Sequence, residues 1–195
     1  MSSISALANV HHQGQFGDFN DKKGDDLLKI SEKKNLLIVQ IVQFKNSNMS
    51  IDSIDIDGLK LKDSPLNVVF NENTRILWNG PKNWMLVSSK KDLIKNISLI
   101  CKETDFAVTD LSHSRAIIEI EGNYVLEVLK KGSPFNFDIL KKNYSTNSLY
   151  NNIAFTVDLL NDKPLKVRIL ALRSFGESLY HSITDASLEF GYENK

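Results

Sequence analysis

The sequence predicts an α+β fold: mostly antiparallel sheet with helices packed against it, in two related halves. Three observations carry this. Apolar runs come in pairs around turn residues, as in hairpins. The element order reads strands, helix, strands, helix, strands, helix, which suits layers of helix on sheet. The Gly-rich strand–turn–helix fingerprint of a dinucleotide-binding fold is missing from the 195 residues.

Residues 1–32 are polar and irregular, with Gly14, Gly17 and Gly24, and are expected to form an N-terminal arm. Residues 33–195 are expected to form one α+β domain. Phe16 and Phe19 sit among the arm's glycines and polar residues. Aromatics exposed on such a segment are costly unless covered, so both are candidate interface residues. His11 and His12 are neighbours, and neighbouring side chains in extended backbone point apart, so they should share no metal.

The apolar run from Leu36 to Phe44 reads as a buried strand, and Ile51 to Lys62 as a short helix followed by a strand, broken by Ser64-Pro65. Ile76 to Val87 holds both tryptophans, Trp78 and Trp84, around a Gly-Pro turn. It reads as a core hairpin, with Trp and Met on one face and Leu and Val on the other. Ser89 and Asp92 suggest a capping box for a helix with Leu93, Ile94, Ile97, Ile100 and Cys101 on its buried face. Phe106–Leu111 and Arg115–Glu121 are strands, the second with Glu119 and Glu121 on a wet face. Gly122-Asn123 should cap a helix through Leu129, with Gly132 as its left-handed stop before Ser133-Pro134. Ile153–Leu160 and Leu165–Leu172 form a second hairpin. Ser174 and Glu177 suggest another capping box. The last helix lines Phe175, Leu179, Ile183, Ala186 and Phe190 along one face and stops at Gly191. Trp84 and Phe175 are expected to be buried, and Trp78, Trp84, His113 and Phe175 are candidate structural residues.

Composition narrows the function. The formal net charge is zero, which argues against a nucleic-acid partner. No apolar stretch approaches the ~18 residues of a membrane span, and no signal peptide is expected. Cys101 is the single cysteine, so it has no internal disulfide partner, and a reducing cytoplasmic location fits. Lysine greatly outnumbers arginine, and only Arg75, Arg115, Arg168 and Arg173 remain. A guanidinium fork is not replaceable by an ammonium, so each is a candidate for a fixed ion pair or an interface anchor. Arg115 and Arg173, at a strand start and just before a helix, are the candidate interface residues.

The chain shows no catalytic set. Asp110, Ser112 and His113 invite a triad reading, but side chains this close on an extended strand do not converge. They are better read as a polar strand end fixing a turn. Lys131-Gly132-Ser133 lacks the longer Gly-rich run of a phosphate loop. Asp55-Ile56-Asp57-Gly58 lacks the spacing and closing Glu of a calcium loop. No catalytic, cofactor-binding or metal residue is expected in this chain.

Four segments, in this order and spacing, carry a resemblance. They are Leu77 to Trp84, Thr109 to Arg115, Leu129 to Pro134, and Arg173 to His181. Together they resemble the gamma subunit of heterotetrameric sarcosine oxidase, over about Leu36 to Gly191. Ser133 stands where many gamma subunits carry Cys. That family is similar in turn to the folate-binding part of the glycine-cleavage aminomethyltransferase, so the resemblance implies an aminomethyltransferase folate-binding-domain-like fold. Asp110, Ser112 and His113 match that relative's strand end. Its folate site depends on a Gly-Gly...Asp-Asp segment. The matching region here, Asn151 to Asp158, lacks the glycines and the paired aspartate, and Asp158 is displaced. Independent folate catalysis is therefore not expected.

The resemblance implies a setting: a complex of alpha, beta, gamma and delta subunits that oxidatively demethylates sarcosine to glycine. Hydrogen peroxide forms, and the one-carbon unit passes to tetrahydrofolate or leaves as formaldehyde. FAD, FMN, NAD, zinc and tetrahydrofolate would sit on other subunits, and this chain would be structural. The alternatives are a stand-alone folate-binding aminomethyltransferase-like or iron–sulfur-assembly protein, and an interaction module outside one-carbon metabolism.

Overall fold

The computed structural model describes residues 4–22 and 26–195; Gly24 lies outside them. The chain runs β1 (Gly14–Phe16), β2 (Leu28–Glu32), β3 (Leu37–Gln43), β4 (Asp55–Ile56), β5 (Leu59–Lys60), β6 (Val68–Phe70), β7 (Thr74–Gly80) and β8 (Asn83–Ser88). It continues through α1 (Leu93–Ile100), β9 (Phe106–Asp110), β10 (Arg115–Glu121), α2 (Val125–Gly132), β11 (Ser145–Tyr150), β12 (Ile153–Asp162), β13 (Leu165–Leu172), α3 (Gly176–Ser187) and β14 (Tyr192–Asn194). Short 3-10 turns occupy Ile51–Ser53, Phe137–Ile139, Arg173–Phe175 and Leu188–Phe190. The fold is α+β; β14 pairs with β2 in parallel, while the ladders β1–β14, β2–β10, β10–β13, β12–β13, β3–β8, β3–β9, β4–β5, β6–β7 and β7–β8 are antiparallel.

The chain divides into two compact units. The first takes in Met1–Lys34, Ser114–Lys142 and Asn147–Lys195; the second takes in Asn35–His113 and Asn143–Thr146. The first unit's sheet has the order β1-β14-β2-β10-β13-β12-β11, the second's β6-β7-β8-β3-β9.

The two orders share a pattern. In the second unit take β3, β7, β8 and β9 as first to fourth. The fourth then lies beside the first, the first beside the third, and the third beside the second. In the first unit β10, β12, β13 and β14 repeat that order, with β2 inserted between fourth and first. This is the βαββαβ arrangement. In the second unit the 3-10 turn Ile51–Ser53 and the β4–β5 pair stand where the first crossover helix would be. The halves are related by topology.

The segment read as an arm belongs to the first unit. Leu28 and Ile30 alternate with Lys29 and Ser31 in β2, which pairs with β10, and Leu7, Leu27, Leu28 and Ile30 are all buried. Strand β1 pairs with β14, and the Phe16 ring stacks on Tyr192 at 5.2 Å between centroids. Two apolar residues at period two, inside a polar stretch, are too short a signal to separate from loop.

In the second unit, Leu37, Val39, Ile41, Ile76, Trp84 and Leu86 pack with Leu93 and Ile97 of α1, and with Cys101, into one core. Strand periodicity puts Trp84 with Leu86 and Met85 with Val87, correcting the expected facing of the Trp hairpin. Both sets are buried. Four consecutive apolar residues in β8 leave the strand no polar face to show to water. Across the hairpin Trp78 lies opposite Trp84, and a bulge before Gly80 leads into the turn.

The predicted capping boxes do not form. Asp92 at the start of α1 makes no side-chain cap, and the Ser89 hydroxyl instead donates to Asn73. Phe175 precedes α3 without a side-chain cap, and Glu177 accepts from Asn9. Gly132 is not a left-handed stop; its φ is not among the positive ones. A Cβ there would lie 2.5 Å from two atoms of the Tyr150 ring, so glycine is needed for close approach. Phe175 is 48% exposed, against the expected burial, because α3 turns Gly176, Leu179, Tyr180 and Ile183 inward instead.

Candidate functional site

Strand β10 and its neighbour β13 carry a cluster of ion pairs in the first unit. Glu119 lies opposite Arg168 across the ladder, so their side chains share a face. Arg168 donates to Glu119 Oε1 from Nε at 3.0 Å and from a terminal nitrogen at 2.8 Å. Lys166 and Lys33 approach Glu119 Oε2 at 3.2 and 3.5 Å, and Lys166 also pairs with Glu121 at 3.2 Å. Glu119 is only 4% exposed, so the face expected to be wet is not. Burial pushes its carboxyl up, but Arg168, with Lys166 and Lys33, outweighs this and holds it below the usual carboxylate range. A carboxylate held by three cations is positioned to brace the sheet rather than to trade protons. Its role was hidden because Ile-Glu-Ile-Glu reads as a solvated strand; the signal that could have found it is Arg168 on the paired strand.

Where β10 starts and β13 ends, the candidate interface arginines stand on neighbouring strands. Arg115 pairs with Leu172 across the ladder, and the Arg173 amide donates to the Ser114 carbonyl at 2.9 Å. The Arg173 guanidinium donates to the Ile4 carbonyl. Arg115 is half-buried without a carboxylate partner among the described residues, and burial pulls its guanidinium down from the ordinary arginine value. The candidate structural residue Phe175 stands exposed beside them. Phe16 and Phe19 are each half-buried; Phe16 is taken up by Tyr192 of its own chain.

In the second unit, Asp110 and Ser112 hold the strand end. Ser112 donates to Asp110 Oδ1 from its amide at 2.9 Å and its hydroxyl at 2.6 Å, and its hydroxyl accepts from the Ile38 amide at 3.0 Å. The Ser112 hydrogen bonds hold the Asp110 carboxyl below its ordinary range. His113 is exposed, and no triad forms. Trp84 Nε1 donates to the Lys62 carbonyl at 2.9 Å and Trp78 Nε1 to Asp63 at 2.7 Å. Both indoles thus pin the chain entering β6. Asp57 accepts from Lys90 and Thr74, each at 2.6 Å, and from Asn71 at 3.1 Å. These bonds, Lys90's foremost, hold its carboxyl at about 2. Burial pushes the Cys101 thiol up to about 11, an unreactive state.

The region matching the relative's folate segment has two parts. Asn151 and Asn152 form the two-residue link between β11 and β12 with φ of 47° and 66°. Asparagine tolerates this left-handed geometry better than most residues, so it serves where glycines would. Asp158 sits in mid-strand, opposite Arg168 and fully buried. A carboxylate in that position is closed to solvent. No group of three or more His, Cys, Asp or Glu suited to a metal occurs among the described residues.

No family model matches the chain. Among curated proteins, the sarcosine oxidase subunit gamma of Corynebacterium sp. (strain P-1) is 28% identical over 130 residues, covering 63% of this chain and 61% of that protein. The same subunit of Corynebacterium sp. (strain U-96) is 29% identical over 125 residues, covering 60% and 58%. The chain thus matches less than two thirds of these relatives' own length. A chain of the heterotetrameric sarcosine oxidase from Corynebacterium sp. U-96, solved with pyrrole 2-carboxylate, superposes with a TM-score of 0.82, covering 97% of both chains at 20% identity. The glycine cleavage system aminomethyltransferase T from Bartonella henselae superposes with a TM-score of 0.57 at 11% identity, covering 80% of this chain and 45% of that one. By sequence this chain is similar to sarcosine oxidase gamma subunits, and by fold to chains of sarcosine oxidase and aminomethyltransferase.

Proposed function

We propose that this chain is the gamma subunit of a heterotetrameric sarcosine oxidase. The observation that carries the reading is agreement between independent comparisons. The sequence match is to gamma subunits, and the fold match to a sarcosine oxidase chain runs over 97% of both chains. In this reading the complex converts sarcosine to glycine, reduces oxygen to hydrogen peroxide and passes the one-carbon unit to tetrahydrofolate. The alpha, beta and delta subunits are the partners and hold FAD, FMN, NAD, zinc and tetrahydrofolate, in the cytoplasm.

This chain's part is structural. Its polar groups are engaged with one another: Asp110 in a strand-end turn, Glu119 under three cations. The test is to purify the tagged chain from its native cell, identify what accompanies it by mass spectrometry, and record a flavin spectrum and sarcosine-dependent peroxide. Flavin-bearing partners and activity in the complex, with the lone chain colourless and inactive, are expected. Purification without flavoprotein partners would overturn the reading.

The likeness of fold to the aminomethyltransferase supports a second reading, a stand-alone folate-binding protein. Calorimetry with tetrahydrofolate separates the two, since sub-micromolar binding by the lone chain belongs only to the second.

A further inference from the structure

One end of the first unit's sheet is unfinished. Leu172 is 44% exposed, Phe175 48% and Ile4 75%. Leu172 pairs with Arg115 across the ladder, Arg173 holds the Ile4 carbonyl, and Phe175 ends the 3-10 turn that Arg173 begins. Large apolar side chains clustered in water signal a surface meant to be covered.

The arginines say what covers it. This chain uses lysine for most of its positive charge, and its other two arginines have visible work. Arg168 forks onto Glu119, while Arg75 reaches Asn143 and lies over the Phe70 ring. Arg115 and Arg173 have no carboxylate among the described residues, yet Arg115 is half-buried. A guanidinium withdrawn from water without a counter-charge is unfavourable until an acid meets it. The missing component is therefore a carboxylate that the described residues do not supply.

A second copy is a poor source. A two-fold dimer through this surface brings the same patch against itself and sets arginines near arginines. We propose that this end of the first sheet docks another subunit of the complex, through a segment pairing an Asp or Glu with an apolar side chain. The carboxylate bridges Arg115 and Arg173, and the apolar side chain covers Leu172, Phe175 and Ile4. This rests on the reading of the chain as a subunit.

The test uses the tagged full-length chain expressed in its native cell, as wild type, Arg115→Glu, Arg115→Lys and Phe175→Asp. Co-purified partner is quantified by mass spectrometry, and the melting temperature of each lone chain is measured. Wild type should retain its partner, less so as salt rises. Arg115→Glu and Phe175→Asp should lose it at least tenfold with melting unchanged, and Arg115→Lys should keep part of it. If Arg115→Glu or Phe175→Asp lowers the melting temperature, Ile4→Asp is read instead, since its side chain stands largely in water. Wild-type retention by all substituted chains overturns the docking surface and leaves the subunit reading standing. A wild-type chain with no partner overturns both. A homodimer abolished by Phe175→Asp overturns the proposal in favour of a second copy.

Discussion

Gly132→Ala should destabilise the first unit although alanine is the better helix former. In the last turn of α2 the exchange is favourable by up to about 1 kcal/mol on propensity alone. The new methyl, however, would lie 2.5 Å from Cε1 and Cζ of Tyr150 and 2.8 Å from Cδ1. The ring has no easy retreat: Tyr150 is 1% exposed, and its hydroxyl donates to the Val128 carbonyl at 2.9 Å. Forcing a buried side chain aside costs about 1–3 kcal/mol. Losing the hydroxyl's hydrogen bond adds about 1 kcal/mol. The net expectation is a loss of about 1–3 kcal/mol, read from urea unfolding followed by circular dichroism. A double-mutant cycle isolates the cause. With Tyr150→Leu in the background the methyl has room, so Gly132→Ala should cost about 1–2 kcal/mol less there. Equal cost in both backgrounds is what a left-handed cap would give, and it would sink the steric argument. So would a Gly132→Ala protein as stable as wild type.

Three further outcomes are expected. Trp84→Ala should cost about 3–5 kcal/mol in thermal or urea unfolding, since the indole fills the second unit's core, and an unchanged melting temperature would show otherwise. Glu119→Ala should cost about 3–5 kcal/mol by leaving the half-buried Arg168 without its bidentate partner, and Glu119→Ala with Arg168→Met should recover more than half; failure of the second change to help would show that the pair does not act as a unit. Asp57 is held at about 2 in the folded chain, against about 3.9 unfolded, so its stabilisation is full above pH ~4 and is lost as pH falls through about 2. Asp57→Asn should therefore lower stability at neutral pH, and its gap to wild type should close across that acid window; a gap constant with pH would show that the carboxylate's charge is not involved.

The sequence by itself determined the elements whose signal is local. The Trp78–Trp84 pair, the β12–β13 hairpin, and the existence and order of three helices follow from turn residues between apolar runs and from helical spacing. The Asp110–Ser112 turn was legible for the same reason: its partners are two residues apart. The tertiary structure decided whatever depends on what lies opposite. Leu28–Glu32 becomes a strand only because β10 and β14 flank it. Glu119 goes inward because Arg168 stands across the ladder, forty-nine residues away in sequence. Gly132 is glycine because of the Tyr150 ring rather than its own φ. Phe175, on the helical stripe by spacing, stays in water because the packing of α3 turned on Gly176 against Ala116. Periodicity states which residues share a face; only the partner across that face settles whether it is covered.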